Sequence, residues 1–314
     1  MFSLSLSVLP VFLLLVAGAV CQRFRFPIDG FWPGVDKLAY WVLFPALLFH
    51  KTSQIDFSNP MLPKYAFILL FALFITAIFV FISAWLLKVE APTASSMLQA
   101  GVRFNTFIVL ALAGSLYGNE GLVLAALGAS VLIPSINVFL VVSMVLMHRP
   151  SAKSGIEVSL PRLLSSALIR NPLIVSIVLG SGLNLLGLTP IILISDVVGM
   201  LSQSALPLVL LAVGASVRLE TIRTVGMTFV LSSVSRFVMF PLVIGIMCWW
   251  LDVRGLPALV AVLFGMVPTA TSAYALARQL GGDTDRMSAY ITMQTLMSVL
   301  TVPVSVWLSQ LYLS

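Results

Sequence analysis

Polar residues come in short clusters along the chain, and between the clusters lie apolar runs long enough to cross a bilayer. A membrane-spanning helix needs about 20 predominantly apolar residues. Read against turn punctuation, the pattern predicts ten helical segments, at about 3–21, 34–50, 65–87, 94–117, 121–147, 167–186, 191–217, 225–251, 256–278 and 287–313. Residues 118–120 and 187–190 read as tight turns. The first apolar run ends in small residues, as signal peptides do. It has no basic region before Val11, however, and it is close to full membrane length. It is therefore read as a retained first helix, with a cleaved signal as the alternative.

Composition identifies the solvent of these segments. The chain is 60% hydrophobic and 9% charged, with a mean hydropathy of +1.10, whereas a soluble domain carries about 25% charged residues. That excludes a soluble enzyme, a disordered chain and a disulfide-framed secreted domain. The expected fold class is an all-α polytopic membrane protein with the lipid bilayer as its partner.

The formal net charge of +6 is read as loop asymmetry rather than affinity for nucleic acid, and no nucleic-acid partner is expected. Twelve of the 17 basic residues, from Arg23 to Arg286, follow odd-numbered segments, while Lys51, Lys64 and Arg254 follow even-numbered ones. Basic loops face the cytoplasm, so both termini are placed on the non-cytoplasmic side of a cell (inner) membrane. Cys21 and Cys248 then fall near opposite faces and cannot pair. With His50 and His148 the only histidines, no metal or cofactor is expected. A coupling ion, proton or sodium, is left open.

Shifting the sequence by roughly 162 residues lays the first five segments on the second five. Phe44-Pro45-Ala46-Leu47-Leu48 falls on Leu206-Pro207-Leu208-Val209-Leu210. Because five is odd, the second copy must cross in the opposite sense. The expected organisation is a first five-helix repeat over 1–148, a polar cytoplasmic linker over 149–166, and an inverted repeat over 167–314. Inverted repeats suit secondary transporters, whose two halves exchange conformations. Duplication without mechanistic consequence, as in a channel, is the alternative.

Polar and helix-breaking residues sit at the centre of segments four and nine, at matching places in the repeat. Segment four carries Gly101, Arg103, Asn105 and Thr106; segment nine carries Pro268, Thr269, Thr271 and Ser272. Proline removes an N–H and clashes with the preceding turn, and paired interrupted helices point to a midplane binding site. The new half-helix N-termini would offer N–H groups and positive dipole ends to an anion. Arg103 and Arg236 lie inside apolar segments, where a cation is expensive and must face a cavity or a partner. No mid-membrane carboxylate stands ready to pair with either, which suggests an anionic cargo and argues against an acidic proton relay. Alternatively, either arginine snorkels or satisfies helix carbonyls.

The candidate substrate-binding residues are Arg103, Asn105, Thr106, Pro268, Thr269, Thr271 and Ser272, with Arg236, Asn137 and Gln294 as further candidates. A sodium site built on oxygens around Asn105, Thr106, Thr269 and Thr271 is an alternative use of the same residues. No catalytic residue is assigned, since no nucleophile–base pair lies within the apolar segments.

Several short motifs carry a resemblance: Asn105-Thr106, Tyr117-Gly118, Arg170-Asn171-Pro172, Ala205-Leu206-Pro207-Leu208, Gly214-Ala215-Ser216 and Val267-Pro268. Over its whole length the chain resembles the auxin efflux carrier family, in the bacterial branch that includes malonate-transporter-like proteins. The resemblance implies a ten-helix inverted-repeat fold similar to bile-acid symporters and sodium/proton antiporters, with discontinuous helices four and nine crossing at the site. It also implies a scaffold from segments one, two, six and seven, often dimeric, and a moving transport domain from the rest. The chain lacks the long cytoplasmic loop of the plant carriers, and Phe104, Leu112 and Leu263 stand where those carry prolines. The expected function is thus a secondary transporter, a homodimer, moving a small organic anion by elevator-like alternating access. The alternatives are a passive anion channel and a sodium-coupled symporter of a different organic solute.

Overall fold

The computed structural model describes residues 2–148, 160–188, 192–218, 220 and 226–313, and every regular element among them is helical. α1 (Phe2–Arg23) leads to α2 (Phe31–Leu38), which widens through a π-helical turn (Ala39–Leu43) into α3 (Phe44–Thr52). α4 (Met61–Leu86), α5 (Ala91–Val102) and α6 (Thr106–Met147) follow. Next come α7 (Leu160–Ile169), α8 (Pro172–Leu185), α9 (Ile192–Ala215) and α10 (Met227–Val234). A second π-helical turn (Ser235–Met239) joins α10 to α11 (Phe240–Trp250), and α12 (Leu256–Met266), α13 (Ser272–Leu280) and α14 (Thr284–Leu313) complete the chain.

Five stretches are long and apolar enough to cross a membrane, and the α7–α8 pair, bent by 60°, makes a sixth. One of the five, Ala91–Met147, runs 57 residues, more than twice the roughly 20 that one crossing needs. It is interrupted twice: between α5 and α6, and at Gly118, whose φ of 62° and ψ of −150° suit a residue without a Cβ. Residues 149–159 of the expected linker lie outside the described residues, while 160–166 belong to α7.

The two π-helical turns have one cause. Each ends immediately before a Phe-Pro pair, Phe44-Pro45 and Phe240-Pro241. A proline ring displaces the carbonyl four residues earlier and offers it no N–H, and a locally wider turn absorbs that mismatch.

Small residues decide which helices touch. α1 lies along α9, where a methyl group on Gly18 would overlap the Leu211 carbonyl and one on Gly214 the Leu15 carbonyl. α3 lies along α8, with Gly180 against Phe49 and Thr52. Asn184 then ties the end of α3 and the chain after it to α8 by donating to the carbonyls of Thr52 (3.3 Å) and Ile55 (2.6 Å). Elsewhere Gly101 packs on Val80 and Ser235, and Gly265 on Pro241. The loop between α13 and α14 clasps the start of α5. Asp283 N–H donates to the Pro92 carbonyl (3.1 Å), and the Asp283 carboxylate accepts from Thr93 (3.2 Å). Ser96 donates to the Asp283 carbonyl (3.0 Å). At the far end of α3, the buried Lys51 ammonium donates to Asn119 Oδ1 beside the Gly118 kink (2.6 Å).

Candidate functional site

α5 stops at Val102, and Arg103 and Asn105 are extended, with ψ of 123° and 98°. Asn105 then starts α6 as its N-cap, its Oδ1 accepting from the N–H groups of Phe107 (3.1 Å) and Ile108 (3.3 Å). α12 likewise stops at Met266, Val267 is extended with a ψ of 153°, and α13 begins at Ser272. Pro268 explains this second break, since no helix continues comfortably through a residue preceding proline.

The two breaks cross and are bonded to each other. Asn105 N–H donates to the Pro268 carbonyl at 2.8 Å. Thr269 Oγ1 and Gln294 Nε2 both donate to the Ala100 carbonyl, at 2.8 and 3.1 Å. Gln294 Oε1 in turn accepts from Thr269 N–H at 3.0 Å. The fully buried Arg236 reaches both helix ends: Nε donates to the Val267 carbonyl (3.0 Å) and Nη1 to the Val102 carbonyl (3.2 Å). Its guanidinium also lies 4.9 Å from the centre of the Phe240 ring. A helix C-terminus leaves carbonyls unpaired and carries partial negative charge. Arg236, Thr269 and Gln294 answer both needs at once.

A cavity of about 570 Å³ lies against the other side of the crossing. Arg103, Asn105 and Thr106 line it from the first break, Thr271 and Ser272 from the second, and Asn137 from α6. The opposite wall is Asp36, Lys37 and Tyr40, from α2 and the following π-helical turn. Arg170 and Asn171, at the α7–α8 bend, complete the polar lining. Phe104, Phe107, Ile133, Ile136 and Leu276 supply apolar surface. Arg103 Nη2 donates to Asn137 Oδ1 at 3.3 Å, and its buried Nη1 makes no hydrogen bond. The α6 and α13 N-termini both border the cavity, so two positive dipole ends and the Arg103 guanidinium bear on the same space.

The ten sequence candidates therefore divide. Six of them, Arg103, Asn105, Thr106, Asn137, Thr271 and Ser272, line the cavity. Pro268, Thr269, Gln294 and Arg236 do not; they hold the crossing together from behind it. The expectation of bare N–H groups also needs amending. Asn105 takes two of those of α6, and tight turns use those of Ala273 and Tyr274 in α13.

Sequence reasoning missed Asp36, Lys37 and Tyr40, which bring a carboxylate, an ammonium and a phenol to the wall. They lie at the start of a segment with no internal sign of facing a cavity. Asn171 was legible as the N-cap before Pro172, and its Oδ1 accepts from Leu173 N–H at 3.0 Å. Among the described residues, no cluster of three or more His, Cys, Asp or Glu is placed to hold a metal.

Comparison with known proteins points to a membrane transporter. A family model described as membrane transport protein matches residues 3–307. An uncharacterized transporter of Methanothermobacter thermautotrophicus is 29% identical over 213 residues, covering 67% of this chain. The match spans 64% of that relative, so the chain accounts for just under two thirds of its length.

Proposed function

The chain belongs to the membrane transport protein family, that of the auxin efflux carriers, and from that premise we propose that it moves small carboxylates by alternating access. The observation that carries the cargo is Arg103. Its guanidinium lines the cavity at the crossing of two broken helices, bonded to a neutral amide and to no carboxylate. A cation kept in apolar surroundings without an acidic partner favours an anion that comes and goes. Asn105, Thr106, Thr271 and Ser272 would complete its coordination.

The same reading takes the chain as ten spans in two inverted five-helix repeats, and the packing supports it. Numbering the spans in order, α1 on α9 is a contact of the first with the seventh, and α3 on α8 of the second with the sixth. Exchanging the repeats turns one contact into the other. α5 on α10 and α12 on α4 are exchanged in the same way, as fourth with eighth and ninth with third. In this reading α1, α3, α8 and α9 form a scaffold that dimerises, and the crossing rides on the rest as an elevator. The cavity opens beside Lys37 and Arg170, on the face given to the cytoplasm by its basic residues, with both termini opposite.

Uptake into proteoliposomes tests this. Wild-type protein should show saturable carboxylate uptake and counterflow, with proton and sodium gradients imposed in turn to find the coupling ion. Arg103→Gln should lower uptake by about tenfold or more while leaving folded protein in the bilayer. Linear, non-saturating flux would overturn the carrier in favour of a pore.

A further inference from the structure

Asn137 is a strange residue to find where it is. It lies on α6 three residues after Pro134, it is 9% exposed, and its carboxamide is costly in apolar surroundings unless it is bonded. Its Oδ1 accepts a hydrogen bond from Arg103 Nη2. If holding Arg103 firmly were the sole requirement, an aspartate of the same shape would do better, since an arginine–carboxylate pair is shorter and stronger than an arginine–amide pair. The amide holds the guanidinium and leaves its charge unanswered. The Arg103 Nη1 next to that bond is buried and unpartnered. The acid among the residues lining the cavity, Asp36, makes no ion pair with Arg103.

We propose that Asn137 is the charge-selectivity residue of the carrier: a positioning residue whose neutral oxygen orients Arg103 while keeping its full positive charge, and its free Nη1, for an anionic cargo. The proposal rests on the carboxylate reading above and adds to it a residue acting through Arg103 rather than on the cargo directly. It makes an unusual demand. At position 137 the shape-conserving substitution must be the more harmful one. Asn137→Asp keeps the volume and strengthens the grip on Arg103, yet it places a carboxylate where the cargo's own carboxylate should be the only one. Asn137→Ala loosens the grip but leaves the charge.

The test is calorimetric titration of the purified full-length chain in detergent, with malonate, succinate, citrate and benzoate as probes and benzamide as the neutral counterpart of benzoate. For whichever carboxylates bind wild type, Asn137→Asp should raise Kd by more than about tenfold and Asn137→Ala by about threefold, with melting temperatures close to wild type. Any affinity for benzamide should be unaffected by Asn137→Asp. In reconstituted uptake the loss should appear in KM more than in kcat. A residue that merely packs the helix would give the opposite order, with the truncation worse than the isostere, and that order overturns the proposal.

Should Asn137→Asp fail to fold, Asn137→Gln and Asn137→Leu replace it. Gln keeps a neutral acceptor and should stay within about threefold of wild type, while Leu should lose affinity by about tenfold. Equal affinity in those two overturns the proposal as well. The two readings fail separately. Wild-type carboxylate binding that is lost in Arg103→Gln but intact in Asn137→Asp sinks the role of Asn137 alone. Wild type that binds none of the four carboxylates sinks both.

Discussion

Asn105 serves two elements at once, and its substitutions separate those services. Its side chain caps α6, and its backbone N–H joins the second break at Pro268. Asn105→Ala removes the cap, which is worth about 1 kcal/mol, too little to unfold the protein. Uptake should nevertheless vanish, because Asn105 also lines the cavity. Asn105→Asp caps equally well but adds a negative charge beside Arg103. It should melt at the wild-type temperature and still fail to transport, whereas transport in either variant would remove Asn105 from the site. Arg236 makes the contrasting case. Arg236→Met strips two charge-assisted bonds from the carbonyls of Val102 and Val267, a loss of about 3 kcal/mol or more. A lowered melting temperature, partly restored in Arg236→Lys, is the expected result. In the sequence the two arginines look alike, each a cation inside an apolar run. What separates them is which way each helix face turns, and that is set by packing against distant elements.

Among the elements, the broken helices were the most legible. Pro268 cannot be read as helix interior, and Gly101 weakens the first break. The break itself falls at 103–105, beyond Gly101, because Asn105 is the residue able to cap a new helix there. The π-helical turns were not legible. Pro45 and Pro241 mark some disturbance, but whether a helix kinks, ends or widens depends on the neighbours available to accept the displaced carbonyls. The wall of Asp36, Lys37 and Tyr40 was hidden for a similar reason, as its orientation comes from the packing of α2 on α9. The packing of α1 on the same α9 is testable. Gly214→Leu would drive a side chain into the Leu15 carbonyl and part α1 from α9, at a cost of about 3 kcal/mol. Gly182→Ala, with open space around it, is the control. Monodisperse elution on detergent size exclusion should be lost in the first and kept in the second; equal behaviour would mean that α1 and α9 can separate without harm.

At the scale of the whole molecule, the Asp283 clasp and the Arg236 cross-link bind α5, α12 and the α13–α14 loop into a single unit. Among the described residues, no hydrogen bond joins the wall formed by α2 and the α7–α8 bend to that unit across the cavity, which is where the proposed elevator would slide. Lys51 and Asn119 join α3 to the start of the second part of α6 by one short charge-assisted bond. The placing of Lys37 and Arg170, both exposed on the cavity's rim, has a kinetic consequence. Charges at an entrance draw in counter-ions from solution, and dissolved salt blunts that pull over roughly 8 Å at physiological ionic strength. Initial uptake by vesicles presenting this rim to the medium should fall severalfold as salt rises from about 0.05 to 0.5 M. Vesicles of the reverse orientation should barely respond. Equilibrium accumulation cannot depend on which face is presented, so these two cations would make the carrier faster in one direction without making it pump.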